Sequence, residues 1–125
     1  MTVAAVVAAV LVVVVPSFLR QRRAKRDVDI LALALKGFAI ENGHYPTGSL
    51  AQVAALLRGE NIDGQNPKRL DYVVATVTEM NSAGEFVDPW GMPYRILVDQ
   101  GGRAYSCGPN RQDEKGEGDD VASWK

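Results

Sequence analysis

One cysteine and one histidine are all the chain offers to thiol and imidazole chemistry. Cys107 alone cannot close an intrachain disulfide, which leaves the redox compartment open. Its surroundings in the sequence hold nothing that would lower a thiol pKa, so a small buried or half-buried side chain is expected. His44 stands beside Tyr45 and Pro46 at a helix end. No Ser/His/Asp or Cys/His set can be assembled around it, and a surface or C-cap role is expected. The chain also lacks a phosphate loop, zinc-ligand spacing and a dinucleotide fingerprint. Together these absences argue against an enzyme. A net charge of −1 gives no basic field of the kind that nucleic acid requires.

Charge is missing altogether from Met1 to Val15, where Thr2 is the one polar side chain. Pro16-Ser17-Phe18-Leu19 follows, and then a dense basic patch of Arg20, Arg22, Arg23, Lys25 and Arg26. Such a run belongs in lipid or against copies of itself. It is shorter than the about 20 residues of a full span. A removable signal is disfavoured, because no basic region precedes the run and no small-x-small cleavage site follows it. The expectation is a membrane anchor whose beginning is missing. Pro16 removes an amide and predicts a kink or local loosening near the middle of a helix of about forty residues.

Val28, Leu31, Leu35 and Phe38 continue that helix as one apolar stripe, with Asp27, Asp29, Lys36 and Glu41 mostly off it. Asn42-Gly43 supplies the C-cap and Pro46 the stop. The arginines read as a solvated helix face in contact with lipid phosphates. By the positive-inside rule they place the body on the cytoplasmic side.

Beyond the helix, Ser49 and Gln52 form a capping box for a short helix through Leu50, Val53, Ala54 and Leu57, ending near Gly59. Residues 60–68 read as loop. Tyr72 to Thr78, β-branched and aromatic, favours a strand. Asp88-Pro89-Trp90-Gly91 fits a type I turn, with Trp90 plugging the core edge. Arg95 to Val98 and Arg103 to Ser106 flank Asp99-Gln100-Gly101-Gly102 as a hairpin. The fold class is therefore α+β: a long N-terminal helix packed on one face of a small antiparallel sheet.

The C-terminal stretch is acidic. Asn110, Gln112, Asp113, Glu114, Glu117, Asp119 and Asp120 crowd oxygen donors into eleven residues, with turns supplied by Gly108, Gly116 and Gly118. Hard cations such as Ca2+ take oxygens at irregular spacing, although the EF-hand spacing is absent. Composition alone favours a solvated, disordered tail. Val121-Ala122-Ser123-Trp124 opposes that reading. A terminal Trp suggests an end docked back on the body, and clustered carboxylates in a closed loop repel unless a cation intervenes.

These pieces, in this order, resemble a type II secretion major pseudopilin, within the wider type IV pilin-like group. Four segments carry the resemblance: the apolar helix into Val15-Pro16-Ser17, Asn42-Gly43-His44-Tyr45-Pro46-Thr47, Asp88-Pro89-Trp90-Gly91-Met92-Pro93-Tyr94, and Tyr105-Ser106-Cys107-Gly108-Pro109-Asn110 leading to Asp119-Asp120-Val121-Ala122-Ser123-Trp124. They cover nearly the whole chain. The resemblance implies residues 1–19 as transmembrane and filament-core helix, 20–43 as its amphipathic continuation, and 44–125 as a periplasmic globular domain with a Ca2+ loop at 107–120. It implies single-pass inner-membrane storage and self-assembly into a helical pseudopilus that drives protein export. The implied partners are other pseudopilins, the inner-membrane secretion platform and, where a leader exists, a prepilin peptidase. That periplasmic placement conflicts with the positive-inside reading, and a lost basic leader would weaken the conflict.

Carried over by position, Asp119 and Asp120 match the paired acidic Ca2+ ligands of that family. Asn110 stands where Asp is usual, and Cys107 and Gln112 match positions that give backbone carbonyls. The stretch from Glu114 to Glu117 is lengthened, with Glu117 the expected ligand there. A Phe-Thr-Leu-Ile-Glu-like mature start is absent, and Met1 falls about six residues inside the mature helix, which matches the shortfall from a full span. A type IV pilin, a minor pseudopilin or a membrane-anchored binding domain that never polymerises are the competing readings. The Asp119 to Trp124 ending favours the major pseudopilin.

Overall fold

The computed structural model describes residues 16–74, 76–77 and 79–125. Two helices and a three-stranded sheet follow in order: α1 (Ser17–Asn42), α2 (Leu50–Leu57), β1 (Arg95–Leu97), β2 (Arg103–Ser106) and β3 (Val121–Ala122). The sheet is antiparallel with order β1-β2-β3. Its register pairs Arg95 with Tyr105 and Tyr105 with Ala122. The α+β expectation, with a long helix over a small antiparallel sheet, is borne out.

The apolar stripe of α1 forms the core. Val28, Leu31, Leu35 and Phe38 are fully buried against Leu56, Leu57, Val73, Tyr94 and Ala104. Burying a Leu or Phe side chain contributes about 1.5–3 kcal/mol, so this stripe fixes how the helix lies across β2 and β3. The helix stops where expected. Gly43 adopts φ +80° and its amide donates to Ala39 O, the left-handed C-cap that glycine accommodates without strain. At the other end ψ of Pro16 is +135°. Pro16 is thus extended and marks the start of α1, the first helix among the described residues. Residues 1–15, which carry the anchor expectation, lie outside the described residues. Among the described residues no helix is long and apolar enough to cross a membrane.

The capping box of α2 is complete. Gln52 N donates to Ser49 Oγ at 3.2 Å, and Ser49 N donates to Gln52 Oε1 at 2.8 Å. Buried Asn66 ties the following loop down by donating to Leu56 O and Leu70 O, each at 3.1 Å. The strand expected at Tyr72 to Thr78 does not form over its described residues. Asp71 Oδ1 accepts from both Val73 N and Val74 N, and Thr76 N donates to Val73 O, so the backbone turns instead. Val73 and Val77 still bury their side chains. Apolar, β-branched residues here anchor a turn to the core rather than a ladder. Ala75 and Thr78 of that stretch lie outside the described residues.

The turn at Asp88 forms as expected, with Gly91 N donating to Asp88 O at 3.0 Å. Asp88 does more than turn the chain. Buried, it accepts from Trp90 N, Met92 N and, at 2.6 Å, Ser106 Oγ at the end of β2. Trp90 is half-buried. Asp27 departs from expectation: it is 3% exposed on the inner face of α1 and accepts from Tyr94 Oη at 2.8 Å. Arg23 and Arg26 stand beside its carboxylate at 3.8 and 3.3 Å, which is how a buried charge is tolerated.

Candidate metal centre

The loop between β2 and β3 starts at Ser106, whose hydroxyl accepts from Gly108 N at 3.0 Å. Gly108 then runs against the returning strand. A Cβ there would sit 2.4 Å from Asp119 O, and φ is +75°, so both space and conformation demand glycine. The loop is closed by turns, with Arg111 N donating to Gly108 O, Glu117 N to Glu114 O and Asp120 N to Glu117 O. It is an ordered, hydrogen-bonded loop rather than a solvated tail.

The chain end docks as its tryptophan suggested. Trp124 meets Tyr105 edge-on at 6.0 Å, and the Arg103 guanidinium lies 5.3 Å from its ring. A Cβ on Gly116 would lie 2.1 Å from Trp124 Cζ2, so the indole occupies the space this glycine leaves. From α1, Lys25 Nζ donates to Ala122 O, Ser123 O and Lys125 O at 3.0, 3.3 and 3.0 Å. The helix thus holds the end that closes the acidic loop.

Within this frame the carboxylates of Glu114, Asp119 and Asp120 bring oxygens within 4.8 Å of one another. Asp120 is 4% exposed. Its Oδ2 accepts from Glu114 N at 3.0 Å and Gly116 N at 2.9 Å. Its Oδ1 is buried without a hydrogen-bond partner, an arrangement that costs free energy unless something positive faces it. Asp119 Oδ2 accepts from Asn110 N at 3.1 Å, and Asn110 Nδ2 donates to Glu114 Oε1 at 2.8 Å. Desolvation, and then the neighbouring Glu114 carboxyl, push Asp119 above its ordinary value. The Asn110 amide, and then Asp119, hold Glu114 below its own. The opposite directions are those of two carboxyls close enough that each feels the charge of the other.

Of the six residues expected from the sequence, Asp119 and Asp120 come together in this cluster. Asn110 joins through hydrogen bonds, although its Oδ1 already accepts from Gln112 N at 2.9 Å. Among the described residues the third carboxylate is Glu114, not Glu117. The glycines carried the signal for that exchange. A Cβ on Gly118 would lie 2.4 Å from the Glu114 carboxylate, so glycine at 118 is what admits Glu114. Gln112 is exposed. The Cys107 thiol is buried at the loop's root and adds no donor to the cluster. Burial pushes that thiol up against the opposing effect of Arg95, which suits an inert side chain.

Asp113 is not part of the cluster. Its Oδ1 accepts from Tyr105 Oη at 2.8 Å and Lys115 N at 3.0 Å. Burial would raise its carboxyl, but these bonds prevail and hold it below its ordinary value. The cluster's donors are all hard oxygens, one of them unpartnered and buried, and that set fits Ca2+ by chemistry.

Comparison with family models, with curated proteins and with solved structures gives no match for this chain.

Proposed function

We propose that this chain is a structural subunit of a type II secretion pseudopilus. In this reading it is stored in the inner membrane through its apolar N-terminal run and assembles by that run into a filament. The globular domain lies in the periplasm, and Ca2+ holds its last loop closed. The observation that carries the reading is the closure of the loop: Lys25 on α1 grips the chain end while Asp120 presents a buried, unpartnered oxygen beside Glu114 and Asp119. Support also comes from the α+β body with its long helix over a small antiparallel sheet. The wider type IV pilin-like group shares such a body, and the docked Trp124 ending favours the major pseudopilin within it.

Under this proposal Glu114, Asp119 and Asp120 hold the cation, and Asn110 keeps Glu114 and Asp119 aligned. Bound Ca2+ supplies positive charge that offsets the repulsion of three carboxylates. The chain's own contribution is to pre-place them with Gly108, Gly116 and Gly118. The test is the full chain produced in a host carrying a type II secretion machinery. Sheared filaments containing it, dependent on Ca2+ in the medium, are expected. Membrane-embedded monomers alone, with or without Ca2+, would overturn the filament reading in favour of a non-polymerising anchored domain.

A further inference from the structure

The first turns of α1 carry five cations, Arg20, Arg22, Arg23, Lys25 and Arg26, against two carboxylates, Asp27 and Asp29. The structure divides these cations by task. Arg23 and Arg26 share buried Asp27, and Lys25 holds Asp29 at 3.0 Å together with the carbonyls of the chain end. Arg20 and Arg22 have no ion pair among the described residues. Phe18 and Leu19, one turn earlier, are 59% and 46% exposed.

Leu19, Arg22, Arg23 and Arg26 recur at i, i+3, i+4 and i+7, one helix face. They line a groove of about 420 Å3 with no carboxylate in its lining. On its other side Arg22 reaches a separate groove of about 520 Å3 whose lining includes Asp119 and Asp120. Arg23 and Arg26 also line a third, smaller pocket with Asp27 and Glu79, so Arg22 is the cation of the Leu19 face with no ion pair among the described residues. From Arg20 to Arg26 the helix rises about 9 Å. That is close to the thickness of one headgroup layer, taken as half the difference between a whole bilayer and its hydrocarbon core, about 5–8 Å. Before Pro16 the sequence carries no charge, and the exposed Phe18 and Leu19 continue that apolar character up to the arginines.

The geometry points to a binding site for the phosphodiester headgroup of anionic phospholipid, centred on Arg22 in the groove it forms with Leu19, Arg23 and Arg26. Guanidinium matches phosphate by paired N–H donors and is only weakly hydrated, so it suits a headgroup better than an ammonium does. The site sets the depth of the helix in the membrane and selects the lipid around it. This inference rests on the membrane storage proposed above.

The test uses the full chain in two measurements. Flotation with pure phosphatidylcholine vesicles reads membrane association alone. In uncharged micelles, short-chain phosphatidylglycerol, short-chain phosphatidylcholine and inorganic phosphate are titrated separately while the arginine Nε–Hε resonances are followed. Phosphatidylglycerol is expected to shift Arg22, Arg23 and Arg26 at concentrations where the other two do not. Arg22→Gln is expected to weaken the response read at Arg23 and Arg26 by roughly fivefold, and Arg111→Gln, away from the patch, is expected to leave it unchanged. A response to phosphate equal to that for phosphatidylglycerol would overturn the lipid assignment, as would an Arg22→Gln variant whose Arg23 and Arg26 respond like the parent's. A chain that floats with phosphatidylcholine yet shows no headgroup preference overturns this inference alone. A chain that does not float overturns the membrane reading first.

Discussion

The hydroxyl of Tyr94 donates to Asp27 Oδ2 at 2.8 Å across 67 positions of sequence, both side chains buried. This bond pins the segment entering β1 to the inner face of α1. Burial, and then the Asp27 charge, push the Tyr94 hydroxyl far above its ordinary value, so it stays a donor at any working pH. Removing it leaves a buried carboxylate short of one donor. Tyr94→Phe is expected to cost about 1.5–3 kcal/mol, the range for a hydrogen bond to a charged group. Urea unfolding of the variant and parent checks this, and an unchanged midpoint would show the arginines alone suffice.

Gly116 and Trp124 make the second prediction. At φ +87° with the indole 2.1 Å from a would-be Cβ, Gly116→Ala must both strain the backbone and expel the ring. The backbone strain alone is worth about 1–3 kcal/mol. Loss of the near-ultraviolet circular dichroism of Trp124 is expected, while the far-ultraviolet helix signal remains. A variant with parental near-ultraviolet signal would mean the indole is not seated on this glycine.

Periodicity and turn chemistry made most of the fold legible, because they act locally. The Val28-Leu31-Leu35-Phe38 stripe, the Ser49 capping box, the Gly43 C-cap and the hairpin around Gly101-Gly102 each depend on residues within a few positions. What escaped depends on partners far along the chain. Asp27 reads as a surface residue until Tyr94 and the arginines are placed around it. Tyr72 to Thr78 has strand composition, but the Asp71 carboxylate captures the amides that a ladder would need. In the loop, Asp119 and Asp120 were legible as neighbours. Glu114 became visible through the space above Gly118, which spacing alone does not reveal.

Lys25 provides a third prediction. Its ammonium takes three carbonyls of the chain end, so its removal should loosen the segment that closes the acidic loop. Lys25→Met keeps the aliphatic stem and removes the charge. Amide exchange at Val121 to Lys125 is expected to accelerate by roughly tenfold, the effect of losing about 1–1.5 kcal/mol of local protection, while the α1 core amides stay protected. Uniform acceleration throughout the chain would instead mark Lys25 as part of global stability.

The acidic cluster yields a pH dependence whose sign can be worked out. Asp119 is raised above 3.8, first by desolvation and then by Glu114. Without metal, the folded chain therefore binds a proton at Asp119 more tightly than the unfolded chain does. Stability from this group grows as pH falls through the raised value and is lost as pH rises above it. A cation reverses the balance, since it takes the place of that proton and is favoured where the carboxylate is ionised. The melting-temperature gain given by Ca2+ over chelator is thus expected to be largest near pH 7 and to shrink as pH falls towards the Asp119 range. Asp113, held below its ordinary value by Tyr105 and Lys115 despite burial, should not titrate in that window. Asp119→Asn removes the ionisation, so it should raise metal-free stability at neutral pH and abolish most of the Ca2+ gain. Thermal melts of parent and variant at several pH values decide the point. A Ca2+ gain that stays constant down to pH 4, or that survives in Asp119→Asn, would place the cation elsewhere.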